Sequence, residues 1–442
     1  METGSSELRR SLTPLLVWGL GVGYVISGMY FGWNLGLEKG GTLGLAIAVG
    51  FIIINSATFT LSYTELACAI PKAGGAFDYG KRAFGKDVGF IVGIAQSIEF
   101  IFAPPAIAFA IGAYFNIFFP QLSVLAIAIL AYVIFTGLNM YGVKVAATFE
   151  LVITILAVAE LLLFSGLTLP HFESTNITRN AFPNGWAGAF AAIPFAIWFF
   201  LGIEGVANLA EETINPQRTV AKGFGSALIT LIVLCVLVFL GSVGVAGWEA
   251  VVFGKDGAIS DSPLPLAFSH IVGDDSFLYH LLITVGLFGL VASFHGLMLA
   301  AGRSTFEFGR VGFAPAFLGR IHNKFQTPAN ALLINMIIGI IALLTGRTGD
   351  IITISVFGAL TLYVISMVAL LRLRKTEPDL PRPYKVPFFP VVPLIAICIS
   401  LVSLVSLAIF NKRLCFIYIL IIGICYGIFK LWNLRKPPGI NS

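Results

Sequence analysis

Trp198-Phe199-Phe200-Leu201-Gly202-Ile203-Glu204 decides the reading of this chain, because it sets a point where a helix can open, and then an ionisable carboxyl, inside an apolar segment of about 186–209. A carboxylate at mid-bilayer costs several kcal/mol unless it is paired or faces water, so it is rarely placed there without a task. Working outward, the first apolar segment, about 13–37, is interrupted in the same way at Val25-Ile26-Ser27-Gly28-Met29. Two interrupted membrane helices at matching places in two five-helix halves predict a carrier whose substrate sits between them near the bilayer midplane.

The bulk numbers agree. The 442 residues are 57% hydrophobic and 11% charged, and the mean hydropathy is +0.93, outside the range of a soluble domain. A spanning helix needs about 20 apolar residues, since lipid offers the backbone no hydrogen bonds. Spans are expected near 13–37, 42–69, 88–115, 121–140, 146–169, 186–209, 219–246, 277–303, 329–346, 350–372, 389–410 and 413–432. These make an all-α integral membrane protein of twelve transmembrane helices, one transporter domain over 1–442 with no room for a separate soluble domain. With both termini inside, the inner loops hold 21 Lys and Arg (from Arg9 and Arg10 through Lys144 to Arg435 and Lys436) against 6 outside, so both termini are expected in the cytoplasm and the protein in the cell membrane. The net charge of +5 follows from that asymmetry and gives no support to nucleic-acid binding.

Other signals are weak. Arg9-Arg10 before an apolar run suggests a signal peptide, but the run is too long and lacks an Ala-x-Ala site. The five cysteines, Cys68, Cys235, Cys398, Cys415 and Cys425, have no paired spacing, and no metal or cofactor motif is present. Asn176-Ile177-Thr178 fits the glycosylation pattern, and Gly19 to Gly23 and Gly32 to Gly36 have the small-xxx-small spacing of closely packed helices. No nucleophile elbow, zinc motif, phosphate loop or dinucleotide fingerprint points to an enzyme or a catalytic site.

Four acids in the apolar segments demand a reason: Glu99, Glu150, Glu160 and Glu204. Glu99 follows Gln96 by three residues on one helical face, and Pro104-Pro105 beyond it removes two backbone donors and should bend the helix. A polar stripe beside a kink suits a substrate pocket, with an interhelical hydrogen bond by a protonated Glu99 as the alternative. His295 is a proton-relay candidate or a packed, satisfied imidazole. Glu65, near the inner end of segment two, is a gating candidate that Lys72 or Arg82 would pair.

Four stretches carry a resemblance: Tyr63-Thr64-Glu65-Leu66-Ala67 through Gly74-Gly75-Ala76-Phe77, Glu211-Glu212-Thr213-Ile214-Asn215-Pro216-Gln217-Arg218, Gly302-Arg303-Ser304 through Gly312-Phe313-Ala314-Pro315, and Leu371-Arg372 through Glu377-Pro378 to Val386-Pro387. In order and spread over the chain, they resemble the amino acid-polyamine-organocation permeases. With Trp33-Asn34-Leu35-Gly36-Leu37-Glu38-Lys39-Gly40-Gly41, the pattern looks most like the bacterial ethanolamine permeases. The resemblance implies a first repeat over 13–169, an inverted repeat over 186–372, two added helices over 389–432, and alternating access, with proton coupling usual. Substrate contacts in relatives map onto Tyr24, Ser27, Gly28 and Met29, and onto Trp198 and Leu201. Two departures stand out. Ile26-Ser27-Gly28 replaces the usual Gly-Ser-Gly that helps amino acid carriers hold a carboxylate, and the helix-five region where some relatives carry a lysine reads Leu156-Ala157-Val158-Ala159-Glu160, which makes Glu160 a coupling candidate.

Together these features predict import of a small amine cation, ethanolamine. Glu99 or Glu204 would neutralise the ammonium, Trp198 would stack on it, and Gln96 or Ser27 would bond the hydroxyl. An amino acid permease of the same superfamily is the alternative, and a membrane sensor or scaffold is the reading from another class. Symport, exchange and uniport stay open, as does the oligomeric state.

Overall fold

The apolar segments fold into eighteen α-helices in a computed structural model that describes residues 10, 12–141, 143–322, 324–325 and 327–434, side chains at 141–147 and 432–434 excepted. Arg9, Arg435, Lys436 and the Lys144 side chain, counted above among the inner basic residues, lie outside the described residues. In chain order the helices are α1 (Pro14–Val25), α2 (Ser27–Tyr30), α3 (Asn34–Ala69), α4 (Ala76–Phe84), α5 (Lys86–Phe118), α6 (Val124–Tyr141), α7 (Val143–Thr168), α8 (Ser174–Thr178) and α9 (Gly185–Ala191). They continue with α10 (Ile193–Trp198), α11 (Pro216–Ala246), α12 (Trp248–Val252), α13 (Pro263–Val272), α14 (Phe277–Arg310), α15 (Ala329–Leu343), α16 (Thr348–Thr376), α17 (Val391–Phe410) and α18 (Lys412–Leu434). A 3₁₀ stretch, Ile203–Glu212, continues the segment of α10.

Among the described residues, nine stretches are long and apolar enough to cross a membrane, and Pro14–Tyr30, Val124–Met140, Pro263–Val272 and Ala329–Leu343 are shorter apolar helices. The expected boundary between the first two segments is a corner, not a loop: α3 runs from Asn34 to Ala69 and turns at Gly41, whose φ of 63° is open to a residue without Cβ. Helix α5 continues through Pro104-Pro105 as one helix.

The centre of the bundle is α5, which packs against α4, α6, α14 and α16. Its apolar window is 78% buried, as is that of Gly185–Glu212, whereas only 17% of Lys412–Leu431 is enclosed. The interrupted segments therefore lie inside and α18 lies outside. Large apolar side chains such as Leu130, Ile229, Val233, Phe416 and Ile419 stay exposed, a surface that lipid satisfies and water does not. Gly19 and Gly23 face Leu151 and Glu150 of α7, so that glycine pair does bring two helices together. The Asn176 amide nitrogen, which a glycan would need, instead donates to the Gly244 and Val245 carbonyls, both at 2.9 Å, and caps the end of α11.

Candidate functional site

Helix one opens where Ser293 of α14 enters its hydrogen-bond ladder. In an unbroken helix the Ser27 amide would donate to the Gly23 carbonyl. Here the Ser27 amide donates to Ser293 Oγ at 2.8 Å, and Ser293 Oγ donates to the Gly23 carbonyl at 2.6 Å. A side chain inserted in this way bends a helix sharply while leaving no backbone group orphaned. After α2, Phe31 is extended and Gly32 has φ +85°. The opened backbone finds partners locally: the Gly32 amide donates to Asn34 Oδ1 at 3.1 Å, and Trp33 Nε1 donates to the Met29 carbonyl at 3.1 Å.

The second break faces the first. Helix α10 stops at Trp198, and Gly202 turns the chain with φ 95°, a left-handed value that glycine adopts at no steric cost, before the 3₁₀ stretch begins. Gly28 lies directly on this opening: a Cβ there would run into the Trp198 carbonyl oxygen and come within 3.1 Å of the Phe199 Cα. Backbone touches backbone, and only hydrogen fits between.

Beside the breaks lies a set of polar atoms without partners. Glu99 of α5 and Glu204 of the 3₁₀ stretch are both buried, and their carboxyls face each other near the Gly202 amide. Glu204 Oε2 accepts from the Tyr363 hydroxyl of α16 at 2.9 Å. Neither Glu99 oxygen nor Glu204 Oε1 meets a donor in hydrogen-bond geometry, and Gln96 Oε1, one turn from Glu99, is equally bare. Two carboxylates brought together in a dry interior repel each other, so a cation or a proton between them is favoured. Tyr363 stacks on Phe59 with centroids 4.0 Å apart, and Phe59 stacks on Tyr63 at 4.8 Å, walling this region with aromatic faces.

The other residues singled out in the sequence fall into separate groups. Trp198 meets Phe31 edge-on at 5.4 Å, packs on Gly32, and keeps a buried, unpartnered Nε1. Tyr24 is wedged between Gly205 and Gly296, and Ser27, Gly28, Met29 and Leu201 are buried at the two breaks. Glu160 is tied to the segment just after the first break: it accepts from the hydroxyl of Tyr30, the last residue of α2, at 2.6 Å and borders a small cavity with Tyr114 and Phe268. His295 is no isolated imidazole, since its Nδ1 lies 3.1 Å from Glu150 Oε2.

Glu65 requires a correction. Its partners are neither Lys72 nor Arg82 but Arg374 (Nε and one terminal nitrogen, 2.7 Å each), Arg382 at 3.3 Å and the Val386 amide at 2.7 Å. Helix α3 buries Glu65 against the far end of α16, where a forked guanidinium matches a carboxylate better than a surface lysine does. Arg82 pairs with exposed Glu377 instead, and its guanidinium holds that carboxyl below its ordinary range. A second pair at this end, Arg303 with Glu212 at 3.0 Å, ties α14 to the close of the 3₁₀ stretch.

Sequence reasoning missed Ser293 and Tyr363. Both are ordinary residues in apolar helices, and each acts on a partner more than 150 positions away.

The model of a family described as amino acid permease matches residues 12–429, nearly the whole described chain. The chain belongs to the amino acid permease family. Among relatives of this permease, a methylthioribose transporter of Bacillus subtilis is 27% identical over 89% of this chain and 87% of its own. The branched-chain amino acid permease BcaP of the same organism is 25% identical, over 88% and 86%. A low-affinity putrescine importer, PlaP, of Escherichia coli is 27% identical, over 77% and 75%. The permease is accordingly a multi-pass membrane transporter for a small molecule and not an enzyme.

Proposed function

We propose that this permease imports a small organic amine, ethanolamine, across the cytoplasmic membrane by alternating access, in symport with protons. On this reading the nine long spans and three of the four shorter apolar helices, Pro263–Val272 excepted, are twelve transmembrane helices, arranged as two inverted five-helix repeats with α17 and α18 added and with both termini in the cytoplasm. The observation that carries the reading is the Glu99–Glu204 pair, buried at the second break with three oxygens free of any donor. An ammonium entering a dehydrated cavity needs a carboxylate and gains from aromatic faces. Gln96, one turn from Glu99 with an unpartnered Oε1, and Ser27, at the first break, are the candidates to bond the substrate hydroxyl.

The test is uptake of radiolabelled ethanolamine into proteoliposomes. Losing one partner of a desolvated charge contact costs about 2 kcal/mol or more, so Glu99→Gln and Glu204→Gln should each slow uptake at least about thirtyfold. Wild-type rates in both variants would refute the assignment. The family description and the relation to BcaP favour a second reading, an amino acid substrate held by its carboxylate on helix one. Excess alanine or serine would block ethanolamine uptake only under that second reading.

A further inference from the structure

We infer that Glu150 and His295 form a proton-binding site that controls the opening of helix one, distinct from the carboxyl pair that receives the substrate. The inference rests on the carrier reading above and supplies its coupling step. Glu150 on α7 and His295 on α14 are both buried, and Glu150 Oε2 lies 3.1 Å from His295 Nδ1. This is the one acid–imidazole pair among the described residues, and it lies within the bundle. The other carboxyl oxygen, Glu150 Oε1, is buried without a partner. It sits against the helix break: a Cβ added to Gly23 would stand 2.6 Å from Glu150 Oε1 and 2.8 Å from Thr154 Oγ1, and one added to Gly296 would stand 3.1 Å from the same carboxyl oxygen.

Gly23 is the residue whose carbonyl accepts from Ser293 at the opened rung, and Ser293 lies two residues before His295 on α14. The pair and the break therefore share one stretch of α1 and one stretch of α14. The other groups facing the pair are few. Helix α1 contributes Tyr24, wedged between Gly205 and Gly296, α7 contributes Thr154, and α6 and α7 contribute the rings of Phe135 and Phe149, each edge-on to His295. Arg303 and Glu212, bound to each other, act on Tyr24 from the α14 end. Among the described residues, the one cationic partner within reach of Glu150 is His295.

The pair takes up one proton from the side to which the break is open. Bound on Glu150 Oε1, the proton supplies the donor that this oxygen lacks beside the Gly23 backbone, and it leaves on the other side when the site opens there. With no proton bound, the free carboxylate oxygen faces the Gly23 backbone without a donor, a state that a dry interior penalises.

The experiment uses the full chain in proteoliposomes with radiolabelled ethanolamine and an entrapped pH-sensitive dye. Counterflow without a pH gradient comes first, because it reports on the carrier reading alone. An inward proton gradient should then raise wild-type accumulation at least tenfold and acidify the lumen as substrate enters. Glu150→Gln and His295→Gln should keep counterflow but lose both gradient-driven accumulation and acidification. Glu150→Asp, which keeps the carboxyl and moves it back by one carbon, should shift the pH midpoint of counterflow. The inference is overturned if both glutamine variants accumulate substrate with the gradient as the wild type does, if the midpoint with Glu150→Asp is unchanged, or if the wild type exchanges ethanolamine with no proton movement at all. This last result would leave the carrier reading standing.

Discussion

Ser293→Ala removes a hydroxyl that does the work of one rung of helix one. The Ser27 amide and the Gly23 carbonyl, bonded to it at 2.8 and 2.6 Å, then lose their partner in a buried site. An orphaned buried polar group costs about 1–3 kcal/mol, so keeping the break open without Ser293 costs about 2–6 kcal/mol. The two groups escape that cost by bonding each other, which straightens α1 into α2 and displaces Gly28 from the Trp198 carbonyl. By either route the fraction of protein with a competent break falls, and about 2 kcal/mol already means a thirtyfold loss. Initial counterflow rates of ethanolamine in proteoliposomes measure it, with the amount of folded carrier set by size-exclusion chromatography. Ser293→Thr, which keeps the hydroxyl, should restore at least part of the rate. An alanine variant with the wild-type rate would refute the view that this hydroxyl holds the helix open.

Three further outcomes are expected. Gly28→Ala drives a methyl into the Trp198 carbonyl, where no flexible side chain can yield, and counterflow should fall to background while the protein still elutes as a monodisperse peak. Glu65→Gln leaves Arg374 and Arg382 clustered without their carboxylate; breaking such a pair costs about 3–5 kcal/mol, and cysteine labelling from the face bearing Arg374 should show that end of the bundle open far more often than in the wild type. Asp261, in the loop before α13, is pushed up to about 6 by burial, against an ordinary value of 3.8. The fold thus favours its protonated form. Its contribution is full below about pH 4 and is lost as pH rises through 6, so Asp261→Asn should gain stability relative to the wild type as pH rises from about 4 to 6, by at most about 3 kcal/mol, and an unchanged pH profile would contradict this.

The segments and both breaks could be read from the chain, because lipid forces backbone pairing and so makes apolar length and its interruption informative. Val25 to Met29 and Trp198 to Gly202 are where the helices stop. What could not be read was which distant residue answers each polar group. Glu65 has Lys72 and Arg82 close by in sequence, yet it is buried against α16, and only the packing of α3 on that helix brings Arg374 within 2.7 Å. Ser293 and Tyr363 have no feature that separates them from other small or aromatic residues in membrane helices. Nothing around Glu150 in the chain marks its partner, which α14 supplies as His295.

One small contact has mechanical meaning. Just before α1, the Leu12 amide donates to the Glu212 carbonyl at 3.0 Å and the Leu12 carbonyl accepts from the Ile214 amide at 2.9 Å, two parallel rungs that fasten the start of helix one to the end of the 3₁₀ stretch. The two interrupted helices are thus riveted at one end while their open middles rest against each other at Gly28 and Trp198. Fastened at two points, neither interrupted helix can be displaced without loading the other.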